Sequence, residues 1–446
     1  MGHITSVEIR KRFLDFFQKR GHVVIPSSSL VPENDPSVLF NTAGMQPIMP
    51  YLMGSPHPKG HKLVDIQKCI RTTDIDDVGD NTHLTFFEMM GNWSLGSYFK
   101  VEAIKWSFEL LTSKTEGFGL DPGRLYITVF AGDKNAPKDE ESADIWHSVG
   151  VPKNRIYFKD ASANWWPAVK GTDSWSGPTG PCSEMFYDVT SEGLGDLTPL
   201  EYDKADKEQK MVEIWNDVFM EYEKKDGKII GKLKQKNVDT GAGFERLCAV
   251  LQGKDNVFDI DIFKPIVDQI KNNSNSSNLK RTRIIADHIR SATFMIADGV
   301  RPSNTDRGYI LRRLIRRAKY HYNSIGGENK ALGALCHFVI DSYKNTDYVF
   351  NENEIDKIIT DEEGKFSTSL LFGQKYLEKI IKESGKVSGE DVFLLYSTYG
   401  YPFELTKELA LENGITIDEK DFQDKVKKHQ ELSRTGAKQK FKAVLE

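Results

Sequence analysis

Near the N-terminus apolar residues recur every three to four positions. Ile9, Phe13, Phe16 and Phe17 share one face and Gly21 ends the run, which predicts a helix from about Ser6 to Arg20. Thr5-x-x-Glu8 at its start has the spacing of a capping box. The pattern then changes. Short apolar runs such as Val38-Leu39-Phe40, Leu125 to Phe130 and Met185-Phe186-Tyr187 are separated by glycine, proline and asparagine, which predicts strands joined by turns. Helical stretches at about 101–112 and 139–149 interrupt them without a βαβ rhythm, so the pattern predicts an α+β fold with a largely antiparallel sheet. The polar stretch from Lys271 to Asn278 predicts an exposed loop. Beyond it helices are expected over 281–298, 308–324, 330–344, 354–384, 390–397 and 404–412. The chain is therefore expected to divide near 250 into a mixed domain, 1–250, and an all-helical domain, 251–446.

Composition narrows the class. With 446 residues, 39% hydrophobic and 11% aromatic, the chain can build substantial cores, which excludes collagen-like and wholly disordered readings. No run of 18 uncharged apolar residues predicts a membrane span, and the first residues lack a charged-then-apolar leader. Cys69, Cys182, Cys248 and Cys336 are far apart, which fits free thiols in a reducing compartment and no sequence-readable zinc site. A cytoplasmic protein is expected. The formal net charge is −5, but residues 301–320 hold seven basic side chains and one acid. On a helical wheel Ile310, Leu311, Leu314, Ile315 and Ala318 fall together, with Arg312, Arg313, Arg316 and Arg317 opposite. Four arginines with no carboxylate among them call for an anionic partner, and the reading favoured here is a nucleic-acid backbone.

The common nucleotide cradles are missing: there is no G-x-x-x-x-G-K-[ST] and no G-x-G-x-x-G after a strand. Three other segments carry candidate chemistry. Cys69 to Asp74 is followed by a loop and then by Thr85-Phe86-Phe87-Glu88-Met89-Met90-Gly91. The second is Ile214 to Met220, containing Trp215 and Asn216. In the third, Val238-Asp239-Thr240-Gly241-Ala242-Gly243-Phe244-Glu245-Arg246-Leu247, two glycines admit close backbone approach and Arg246 can reach a phosphate. Singly, each also fits a tight turn, a core strand or a surface ion pair. Together the R-x-x-[DE]…F-E hairpin, the D-T-G-x-G-x-E-R-L segment, and a first helix followed by P-S-S-S-L-V-P resemble the three signature motifs of class II aminoacyl-tRNA synthetases. The wording is most similar to the alanyl branch of that family, in Leu39 to Met45, Gly180-Pro181-Cys182-Ser183-Glu184, Ala286-Asp287-His288-Ile289-Arg290, Arg307 to Arg313 and Tyr399-Gly400-Tyr401-Pro402. The match runs from about Ile9 to about Thr406, with Glu446 falling ahead of that branch's editing and C-terminal domains.

The resemblance implies a class II antiparallel sheet flanked by helices and followed by a helical domain. It also implies ATP with transient Mg2+ and no other metal, L-alanine and the acceptor stem of tRNA(Ala) as partners, no membrane, and a monomer. A carboxylate substrate is already a nucleophile, so positioning and charge stabilisation suffice. That suits a candidate set of Arg, Asp and Asn. Arg71 takes the position of the arginine that meets the α-phosphate and the amino acid carboxylate, and Arg246 the position at the γ-phosphate end. Asp239 takes that of the carboxylate receiving the substrate ammonium. Asn216 would orient the substrate, with the backbone of Ile214, Trp215 and Gly243 near the nucleotide. Met89, Trp166, Val218 and Gly241 would enclose the alanine, and Trp166 and the Asn216 backbone would also lie against the ATP. Asn304 and the Ser397 position correspond to an asparagine and an aspartate that read a G·U pair in the acceptor stem, flanked by Arg312, Arg313, Arg316 and Arg317. There are departures. His83-Leu84 stands where the family has two histidines, so His83 is the candidate for that ATP contact. Asn164-Trp165-Trp166-Pro167 is followed by extra residues through Trp175, and Ser397 replaces the aspartate. A non-catalytic tRNA-binding paralogue would show loss at Arg71, Asp239 or Arg246, and all three are present. A ligase for glycine or serine stays open.

Overall fold

A computed structural model describes residues 4–33, 38–167, 175–327 and 330–428. The chain forms two compact units: Met1–Pro265 with Ser342–Asp347, and Ile266–Asp341 with Tyr348–Glu446. The boundary expected near 250 falls inside the Phe244–Leu251 helix. That helix buries Phe244, Leu247 and Cys248 and packs on three strands of the sheet, so it stays with the first unit.

Among the described residues the first unit is built on nine strands: β1 (Val23–Val24), β2 (Lys62–Ile70), β3 (Phe86–Leu95), β4 (Leu125–Phe130), β5 (Ile156–Lys159), β6 (Trp165–Trp166), β7 (Gly177–Asp188), β8 (Met211–Lys225) and β9 (Lys228–Gly243). Their order is β1-β2-β3-β9-β8-β7-β4-β5, with β6 pairing β7 off this path. Pairing is antiparallel except for β1 with β2 and β4 with β5. The antiparallel-dominated α+β fold is the one the alternation predicts. All six residues of β4 are buried, which explains its unbroken apolar run. Val38-Leu39-Phe40 is not a strand: the segment bends and Phe40 enters the core. The first helix, Ser6–Gln18, buries Ile9, Phe13, Phe16 and Phe17. Thr5 accepts from the Glu8 backbone N–H, but Glu8 turns to Arg12 and does not close a reciprocal box. The insertion after Pro167 lies outside the described residues from 168 to 174.

The second unit is helical: Leu279–Ala297, Asp306–Ser324, Cys336–Ser342, Glu352–Ser384, Gly389–Tyr399 and Phe403–Glu412 lead it. Cys336–Ser342 and the 3-10 turn Gly333–Leu335 replace the single helix expected over 330–344. The expected loop at 271–278 begins late, because Lys264–Asn272 continues as helix. The Asp306–Ser324 helix departs most from expectation. Besides Leu311, Leu314, Ile315 and Ala318 it buries Arg313, Arg317, Lys319 and His321. The carboxylates absent from its own sequence arrive from other helices. Glu362 lies 2.7 Å from Arg316 and 3.1 Å from Arg312, Glu404 3.6 Å from Arg313, and Glu408 2.8 Å from Arg317. An uncompensated arginine face is thus corrected to a mostly buried, ion-paired helix. Among the described residues no helix is long and apolar enough to cross a membrane, and the four cysteines are buried and free.

Candidate active site

Strand register assembles the candidate residues. Across β2, β3 and β9, Gln67, Met89 and Gly243 form one row, and Leu63, Trp93 and Asp239 another. β8 sets Asn216 opposite Gly241 and Val218 opposite Asp239, and β7 sets Glu184 opposite Asn216 and Cys182 opposite Val218. Residues two apart share a face, so Met89, Gly91, Trp93, Asp239, Gly241, Asn216 and Val218 all stand on one side of the sheet. Glycine is required where this face is low. A Cβ at Gly91 would lie 2.6 Å from the Trp93 ring, and one at Gly241 3.1 Å from Met89 Sδ.

Arg71, His83, Met89, Gly241, Gly243 and Arg246 line one cleft of about 80 Å³, together with Asp74, Glu213 and Glu245. Arg71 leaves the end of β2 with its Nε donating to Thr42 O at 3.3 Å and its guanidinium 4.8 Å from the Phe87 ring. Arg246 rises from the first turn of the helix that Gly243 caps and donates to Glu213 at 3.3 Å. His83 Nδ1 lies 2.6 Å from Asp80, which raises the imidazole pKa above its ordinary value. Two cationic arms and a histidine of raised pKa around a glycine floor suit a polyphosphate.

Asp239 is only 6% exposed, and burial pushes its carboxyl up to about 7 against the single donor Trp93, whose Nε1–H reaches Oδ1 at 2.7 Å. A buried carboxyl with one oxygen engaged suits a cationic partner. Trp166 packs in the apolar cluster that holds Trp93, Cys182 and Val218. Asn216 donates to Glu184 at 3.2 Å, whose carboxyl burial and the nearby Glu213 hold well above the carboxylate range. Ile214 is fully buried, and Trp215 brings no side chain to the face. Trp215 points to the opposite side, 6.0 Å from Phe13, and donates to Asp217. Glu88, the acid of the F-E pair, also faces away and is fully buried against Arg10. Sequence reasoning passed over Trp93, Glu213, Asp80 and Asp65. Alternation from Met89 through Gly91 would have reached Trp93.

In the second unit Asn304, Arg312, Arg313, Arg316 and Ser397 line a separate cleft of about 260 Å³, with Tyr309, Tyr396 and Tyr401. Arg312 donates to Asn304 Oδ1. Arg317 is not in this cleft: it is 3% exposed, locked between Glu408 and His288.

An antiparallel sheet carrying these motifs in register is the frame of a class II synthetase. The profile described as tRNA synthetases class II (A) matches residues 8–446, and the chain belongs to that family. An alanine–tRNA ligase of Borrelia hermsii (strain HS1 / DAH) is 45% identical over 450 residues, covering 98% of this chain and 74% of the relative. One of Treponema denticola is 46% identical, covering 99% and 75%. One of Rubrobacter xylanophilus is 41% identical, covering all of this chain and 51% of the relative.

Proposed function

We propose that the chain is an ATP-dependent ligase that joins L-alanine to the 3′ end of tRNA(Ala). In the first step an alanine carboxylate oxygen attacks the α-phosphorus, the bond to the β-phosphate breaks, and pyrophosphate leaves with magnesium, which enters as part of the substrate MgATP. In the second the terminal ribose hydroxyl attacks the activated carbonyl and AMP departs. Asp239 receives the substrate ammonium, and Gly241 leaves room for it beside Met89. Arg71 bridges the carboxylate and the α-phosphate, and Arg246 with His83 takes the distal phosphates. Val218, Met89 and Trp166 leave space for a methyl group, while Asn216, steadied by Glu184, orients the substrate. The observation that supports this reading best is the register that brings Asp239, Gly241, Asn216, Val218 and Met89 to one sheet face beside the arginine-flanked cleft. The acceptor stem is assigned to the cleft of Asn304 and Ser397. ATP–pyrophosphate exchange across a panel of amino acids is the test. Alanine-dependent exchange is expected, exchange with none would overturn the enzyme reading, and preference for glycine or serine would replace alanine.

A further inference from the structure

Trp93 has a role that the motif pattern does not assign. Its side chain is fully buried, and the space its ring occupies is reserved by two glycines. The ring sits where a Cβ at Gly91 would stand 2.6 Å away and one at Gly44 3.1 Å away. With β3 fixed between β2 and β9, the indole has little freedom to turn, and its N–H meets Asp239 Oδ1 at 2.7 Å. Among the described residues that is the one side-chain donor to this carboxylate, and Val218 faces it from β8.

We propose that Trp93 is a positioning residue: its indole N–H holds Oδ1 of Asp239, keeps that carboxylate ionised, and leaves Oδ2 to take the substrate ammonium. This rests on the reading of Asp239 as the ammonium receptor. Two effects oppose each other at Asp239. Burial favours the neutral acid, and the indole N–H favours the anion. Asp65 of β2, diagonal to it across Gly91, is the titratable group whose pKa Asp239 raises. From β8 the facing residue is Val218, which carries no charge. Asp65 is buried, and burial together with the nearby Asp239 raises its carboxyl pKa above the ordinary range. Among these groups the indole N–H is the one that favours the anion of Asp239 against burial.

The test compares wild type with Trp93→Phe, and with β-(3-benzothienyl)alanine at position 93, which keeps the bicyclic shape but replaces N–H by sulfur. In alanine-dependent exchange, the acid limb of kcat/KM for alanine should move up by about one pH unit in both variants. That is about a tenfold loss at pH 6, shrinking above pH 8, with KM for ATP unchanged. A purely structural role would lower activity equally at every pH, and parallel profiles in the benzothienyl variant would overturn the proposal even if Trp93→Phe does not fold. A second readout needs no activity. In 15N-tryptophan-labelled protein the indole N–H resonance lost in Trp93→Phe should titrate near pH 7 and stop doing so in Asp239→Asn. An indole signal indifferent to Asp239 would sink the contact itself. Absence of alanine-dependent exchange in wild type would instead sink the ammonium reading.

Discussion

Burial works against the ionised form of Asp239, whose carboxyl sits near 7, so a substrate ammonium is the partner that would bring it fully to the anion. Removing that carboxylate leaves an ammonium in a dry site without a counter-ion, which costs roughly 3–5 kcal/mol. Asp239→Ala is therefore expected to lower adenylate formation by about three orders of magnitude in pyrophosphate exchange. Activity within tenfold of wild type would remove Asp239 from the site. Arg71 differs in kind. Its guanidinium is anchored at Nε by Thr42 O, which leaves the planar end for a ligand. Arg71→Lys should recover only a small part of the activity lost in Arg71→Ala, because an ammonium is a point charge and cannot present two parallel donors. Full recovery in Arg71→Lys would mean that charge alone is being used there.

At the level of elements, helix faces are decided by what packs against them, and the Asp306–Ser324 helix makes the point. Arg317 reaches both His288 and Glu408, and His321 lies 3.4 Å from the same carboxylate, so three helices share one buried network. Burial pushes His288 down to about 4. Burial also opposes the charge on Glu408, but the nearby His321 and Arg317 hold its carboxyl below the ordinary range. Both groups have lower pKa values folded than unfolded, so both contribute stability at neutral pH that is lost on acidification. For His288 the window runs from about 6.5 down to 4, worth on the order of 3 kcal/mol. Thermal unfolding followed from pH 7 to pH 4 should show a falling midpoint, and His288→Gln should flatten that fall. An unchanged slope in the variant would place the titrating groups elsewhere. The network also marks where the sequence was readable. Local periodicity located the helices, because buried apolar residues at 3.6 spacing leave a trace. It could not locate Glu362, Glu404 or Glu408 beside the arginines, because such pairs join residues far apart in the chain. The sheet face behaved likewise. Arg71, Gly241, Gly243 and Arg246 stood in motifs, whereas Trp93 and Glu213 reach the face only through strand register.

For the molecule as a whole, a net charge of −5 means that any RNA affinity must be local. The cleft of Asn304, Arg312, Arg316 and Ser397 is the candidate, and its arginines already share Glu362. A phosphate bound there would compete with one carboxylate for two guanidinium groups. Arg312→Ala and Arg316→Ala should each lower the salt slope of tRNA binding by about one. Arg317→Ala should leave the slope alone and act on stability, since that guanidinium is buried against Glu408. On the proposed reading, sequence choice is expected of Asn304 and Ser397. With Oδ1 engaged by Arg312, Asn304 keeps two amide N–H donors, the groups that base-edge acceptors in the shallow groove of an RNA stem would require. Ser397 is exposed in the same cleft, and its hydroxyl both donates and accepts, so it tells an exposed guanine amino group from its surroundings less sharply than a carboxylate does. Charging of G·U and G·C acceptor-stem minihelices should therefore differ less for the wild type than for Ser397→Asp, and least for Asn304→Ala. Equal discrimination by all three proteins would move recognition of the wobble pair out of this cleft, and an equal loss of salt slope in Arg317→Ala would move the phosphate contacts with it.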